Sequence, residues 1–165
     1  MAKSDIDRVT DETIAKGGVL VKMYFDMRHN ERDKLLPLLT DLINERLMKE
    51  PGMVYCFGAV EEPLEKEGIF ITSATVTILF ESPAPLIGIA FRYAPAGVEV
   101  IKPTKDIPIK AMDFQKAIME IADLSINYSK YLAEKVLSKE DRDAMFTHLN
   151  DRAELGKKLM QDAKK

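Results

Sequence analysis

The residues able to do chemistry fall into a few small groups. Asp26, His29, Glu31 and Asp33 crowd one short stretch. Oxygen ligands and an imidazole could hold a divalent ion there, and a carboxylate near a histidine could move protons in a small, metal-assisted enzyme. The paired His or Cys/His spacings that mark a metal site are absent, so the stretch reads first as a solvated loop whose acids favour the start of a helix. Cys56 is the only cysteine. A nucleophile would need a base and an orienting group beside it; inside an apolar strand this thiol reads as a small hydrophobe.

Two charged groups oppose each other in sign. Glu61, Glu62, Glu65 and Glu67 read as the solvated tip of a hairpin. Arg92, Lys102, Thr104 and Lys105, with Lys110, could hold a small anionic ligand. Neither GxxxxGK[ST] nor GxGxxG is present to make that a phosphate site. His148 falls on a polar helix and is expected at the surface.

Composition narrows the partners. The chain has 165 residues, 46% hydrophobic and 31% charged, with a net charge of −3; this suits a soluble globular domain with a full core. The acidic balance offers no general attraction for nucleic acid or an anionic membrane. No apolar run approaches the roughly 18 residues of a spanning helix, and the opening MAKSDIDRVTDET has no signal-peptide core. One cysteine cannot close an internal disulfide. The expectation is a cytoplasmic protein with no cofactor, no bound metal, and neither nucleic acid nor membrane as partner.

The elements that must position these groups are organised around residues 69–103. Ile69 to Phe80 is dense in β-branched residues and reads as a long strand. Ser82 then caps a helix with Pro83 at its first position. Leu86, Ile89, Ala90 and Tyr93 form one face of that helix, while Ile87 and Phe91 make the other side nearly as apolar. Pro95 and Gly97 stop it, and Val98 to Lys102 resumes as a strand.

Upstream, Ser4 to Lys16 reads as a short helix and Val19 to Met27 as a clear strand. A helix follows, capped by Asp33 so that Pro37 falls among its first positions, with an apolar stripe through Leu35, Leu36, Leu39, Leu42, Ile43 and Leu47. Pro51-Gly52 ends it, and Met53 to Val60 is the next strand. EEPLEKEG reads as a polar connection to the strand at Ile69.

Downstream, Ala111 to Leu137 reads as one long helix whose core face is Phe114, Ile118, Ile121, Tyr128 and Leu132. Ser138 to Asp141 resembles a capping box opening another helix, with a weak stripe of Met145, Leu149, Ala153, Gly156 and Leu159 and a frayed terminal QDAKK.

Strand, helix, strand, strand, helix, strand is the split βαβ order of an α+β, ferredoxin-like sandwich. The expected organisation is an N-terminal segment over residues 1–17, the ferredoxin-like domain over 18–110, and C-terminal helices over 111–165 packed on the same domain. The helices should cover one sheet face, leaving Leu20, Tyr24, Ile69, Ile71, Leu79 and Ile101 on the other, among Lys22, Thr75, Thr77 and Glu99. With Tyr24 the one clear stacking aromatic on that face, RNA binding is disfavoured. The functional expectation is a non-catalytic protein acting by self-association, as a homodimer or higher oligomer, and by binding a protein or small-molecule partner. Ile87, Phe91, Tyr128 and Tyr131 are the interface candidates.

Overall fold

The computed structural model describes residues 4–162, with backbone alone for residues 144, 148, 153, 156, 157 and 159–162. The chain divides after Asp113 into two compact units. No helix of the described residues is long and apolar enough to cross a membrane.

The first unit opens with α1 (Asp5–Ala15), then β1 (Val19–His29) and α2 (Arg32–Asp41), which continues through a π turn (Leu42–Arg46) and a 3-10 turn (Leu47–Lys49). There follow β2 (Met53–Val60), β3 (Leu64–Lys66), β4 (Ile69–Phe80), α3 (Pro83–Tyr93) and β5 (Gly97–Lys102). The sheet runs β2-β4-β1-β5 with β3 pairing β4, and every pairing is antiparallel. Leaving the short β3 aside, this is the strand order of a ferredoxin-like fold.

Strand alternation sets which side is covered. Val19, Val21, Met23 and Phe25 of β1 point the same way as Ala74, Val76, Ile78 and Phe80 of β4, and all are buried against Leu39, Ile43, Leu47 and Ile89 of the helices. Burying one such side chain fully contributes about 1.5–3 kcal/mol, against at most about 1 kcal/mol for a surface ion pair. The sheet–helix core therefore outweighs the ion pairs. Leu86, Ala90 and Tyr93 complete it from α3, on the face expected for them.

Four features differ from the sequence reading. First, α2 starts at Arg32 with Glu31 in the cap position and no side-chain cap bond, so Asp33 lies in the first turn and Pro37 inside the helix. Second, Leu35, Leu39, Ile43 and Leu47 form an i, i+4 row, all buried. Such a row drifts around an α-helix, whose turn is shorter than four residues; the wider π turn reverses the drift and keeps Leu47 on the core.

Third, the connection after Val60 contains β3 and a tight hairpin. Lys66 pairs with Ile69, which leaves Glu67 and Gly68 as a two-residue turn with φ of 55° and 80°. Positive φ at both central positions is the type I′ turn, whose hand matches the twist of the flanking strands. Fourth, α1 does more than extend the N-terminus. Its capping box between Ser4 and Asp7 is complete, and Thr10 hydrogen-bonds the Tyr55 hydroxyl at 2.8 Å. Tyr55 pairs with Leu79, and Leu79 with Leu20. These two leucines lie on the side away from α2 and α3 and are nonetheless buried, beneath α1.

The second unit is a helical hairpin. Nearly all of it is α4 (Ala111–Val136) and α5 (Lys139–Asp162). Ser138 caps α5, accepting the Asp141 N–H at 3.3 Å and donating to its carboxylate at 2.6 Å. Lys130 of α4 donates to Asn150 of α5 at 2.5 Å, and Ala133 and Leu149 are buried. Of the α5 stripe, the side chains of Ala153, Gly156 and Leu159 lie outside the described residues, as does the terminal QDAKK apart from its first residues' backbone.

One prediction concerns the hairpin. Glu67 occupies a left-handed conformation that asparagine adopts more readily. Glu67→Asn is expected to stabilise the protein by about 0.5–1 kcal/mol and raise the melting temperature by a few degrees. Thermal and urea unfolding check it.

Candidate functional site

The sequence candidates occupy separate places. Arg92, in the last turn of α3, meets Glu50 at the end of the 3-10 turn: Nε donates to Oε1 at 3.2 Å and Nη2 to Oε2 at 2.7 Å. The Tyr93 hydroxyl donates to the same Oε1 at 2.8 Å. Burial first, then this bond, holds the Tyr93 phenol above its ordinary range. Two-point contact from a planar guanidinium fixes both distance and orientation, so Glu50, Arg92 and Tyr93 clamp the end of α2 to the end of α3.

Lys102 lies on the other side of the sheet, where Nζ reaches Asp11 of α1 at 3.0 Å. Thr104 and Lys105 follow in the exposed segment after β5. Arg92 and Lys102 thus face different carboxylates, one serving the helix layer and the other α1.

The loop candidates also part. Asp26 pairs with Ser73 and His29 with Phe70; three positions apart on one strand, their side chains leave opposite faces. His29 Nδ1 accepts the Glu31 N–H at 2.8 Å, and Glu31 accepts from Lys34 at 2.7 Å. Among the described residues, no three His, Cys, Asp or Glu side chains gather as a metal would need. The side chain of His148 lies outside the described residues.

Cys56 points toward the helices and packs against the core. Burial pushes its thiol up to about 11, away from the range of a thiolate nucleophile.

On the side away from α2 and α3, register brings Lys22, Thr77 and Phe57 into one row, and Tyr24, Thr75 and Ala59 into the next. Tyr24 donates to Glu99 at 2.9 Å, which raises its phenol. Tyr55 and Phe57 stack with ring centroids 5.7 Å apart. The sequence reading missed this pair. Alternation along Met53–Val60 carried the signal, but the irregularity between Met53 and Tyr55 decides which face receives it.

On α4 the expected core face is left uncovered by α5: Phe114 is 51% exposed, Ile118 49%, Tyr128 62% and Leu132 44%. Ala117 and Ala133, which occupy other positions around the helix, are the buried ones. Tyr131 is also exposed, beneath the Lys135 ammonium at 5.8 Å from its ring centre. On α3, Ile87 is half-buried and Phe91 half-exposed.

Residues 20–147 match the MJ0538 family, and the chain belongs to it. No curated protein and no solved structure matches the chain.

Two predictions follow from these contacts. Arg92→Ala leaves the largely shielded Glu50 carboxylate without its two-point partner and is expected to cost about 1–3 kcal/mol in urea unfolding, against under about 1 kcal/mol for Lys102→Ala. Cys56 with a thiol at about 11 holds roughly one thousandth of its population as thiolate at pH 8, against roughly a quarter for a free thiol. Its alkylation in the native protein is expected to be about two orders of magnitude slower than in urea; timed iodoacetamide labelling measures the ratio.

Proposed function

We propose that this member of the MJ0538 family is a non-catalytic interaction protein that works as a homodimer, with α4 as its dimerisation element. One observation carries the reading: an apolar seam laid out for helix pairing lies open on α4. Phe114, Ile118, Ile121, Tyr128 and Leu132 recur at alternating spacings of four and three, with Ser125 filling the one gap. That is the repeat by which a helix keeps one face toward a partner helix. With four of the five about half-exposed, the seam is an apolar surface of the kind soluble proteins cover by association.

The flanks of the seam favour a second copy of the chain as that cover. Gln115, Ala122, Ser129 and Val136 border it on one side, and Ala117, Leu124 and Tyr131 on the other; none is charged. Asp113, Lys116, Glu120, Asp123, Lys130 and Glu134 fall elsewhere around the helix, and Lys135, three residues after Leu132, ends the seam with its ammonium over Tyr131. Near a two-fold axis each residue meets its own copy, so a charged border would oppose like to like, while a neutral one packs without that penalty. Ser125, the polar member at mid-seam, suits a device that sets register. A reducing, aqueous compartment such as the cytoplasm fits a chain whose one thiol is free.

Light scattering after size exclusion tests the reading. At roughly 10 µM, wild type is expected to have twice the chain mass. Ile118→Glu and Tyr128→Glu are each expected to yield monomers with unchanged circular dichroism, whereas Phe91→Glu on α3 stays dimeric. A monomeric wild type, or dissociation by Phe91→Glu alone, refutes α4 as the dimer element.

A further inference from the structure

We propose that the hollow beside the π turn of α2 is a binding site for a small, uncharged, mostly apolar molecule with one hydrogen-bonding group, about the size of a phenol. The proposal is independent of the dimer and concerns the first unit alone.

The hollow lies between the end of α2 and the edge strand β2, and holds about 160 Å³. Its mouth is open to solvent, where Asn44, Met48 and Phe57 are exposed, and a volume of about 150 Å³ is enough for a benzene-sized guest. Ile43 and Met48 line it from the helix side, and Cys56, Val60 and Val76 from the sheet. Its origin can be traced to backbone geometry. Along β2 the side chains facing the helices are Cys56, position 58 and Val60. Position 58 is glycine, and a Cβ there would lie 2.3 Å from the Thr75 carbonyl oxygen and 2.9 Å from the Val76 Cα. Both are backbone atoms that cannot step aside, so no side chain can fill the middle of this wall. Above it the helix runs as a π turn, a form that occurs mostly as single turns inside α-helices and frequently at functional sites.

The chemistry of the lining selects the ligand. None of the residues around the hollow is charged, in a chain where 31% are; a charged guest would lose its hydration without a counter-charge. The Thr40 hydroxyl and Asn44 amide border the same space, and neither makes a hydrogen bond to a described side chain or backbone group. They can offer a donor and an acceptor to one polar group of the guest. The Cys56 thiol, on the sheet side, stays protonated and adds no charge.

Phenol and benzoate probe the site, since they share a ring and differ in charge. In a titration followed by amide ¹H–¹⁵N spectra of the full chain, phenol is expected to shift Ile43, Asn44, Cys56 and Gly58 saturably, with Kd of about 1 mM or tighter. Benzoate is expected to bind at least about tenfold more weakly. Thr40→Met and Cys56→Met, each adding bulk from one wall, are expected to weaken phenol at least about tenfold while the remaining spectrum stays native; either one folded suffices. Absence of saturation, shifts scattered over the surface, equal affinity for benzoate, or unchanged affinity in a folded variant would each overturn the site.

Discussion

The first unit depends on the pairing of β4. This strand meets β1 along its whole length on one side, and β2 followed by β3 on the other. Because side chains alternate strictly, that register commits Ala74, Val76, Ile78 and Phe80 to the helix-covered face together with the odd-numbered residues of β1. A slip of one residue would turn the whole apolar set toward the other side. The burial of α2 and α3 then follows, since each has an apolar face that can be satisfied only on this surface.

Polar contacts refine that arrangement and do not create it. Glu50 draws Arg92 and Tyr93 together where α2 and α3 end, and Asp11 with Thr10 fastens α1 over Leu20 and Leu79. The first is shielded and charge-assisted, with two-point geometry. The second combines a half-exposed ion pair with a hydroxyl bond at the border of an apolar patch. Their different exposure gives them different weight, although on paper each joins one cation to one carboxylate.

The surfaces proposed for function are places where packing within the chain stays incomplete. On α4 the incomplete element is a repeating apolar seam, which suits a partner of matching repeat. Beside the π turn it is a small hollow, open at its rim, whose sheet-side wall has a glycine pinned by the neighbouring carbonyl. An extended seam and a compact hollow ask for different occupants, a helix in one case and a small molecule in the other.

Local pattern by itself determined much of this protein. Strand alternation located β1, β-branched density located β4, Ser138 marked the start of α5 by a cap that forms, Ser82-Pro83 marked the start of α3 although the Ser82 side chain makes no cap bond, and element order implied the ferredoxin-like sandwich. These features depend on near neighbours, so they can be read from a string. Tertiary structure decided what depends on residues far apart. The carboxylates that meet Arg92 and Lys102 lie 42 and 91 positions away. Whether Phe57 joins Tyr24 on one face depends on an irregularity between β2 and β4. The α4 seam was visible as an apolar stripe, but periodicity reports only that a face seeks cover, never which surface supplies it. The hollow at Gly58 was invisible, because it arises from a carbonyl 17 residues along the chain that approaches too closely for any side chain.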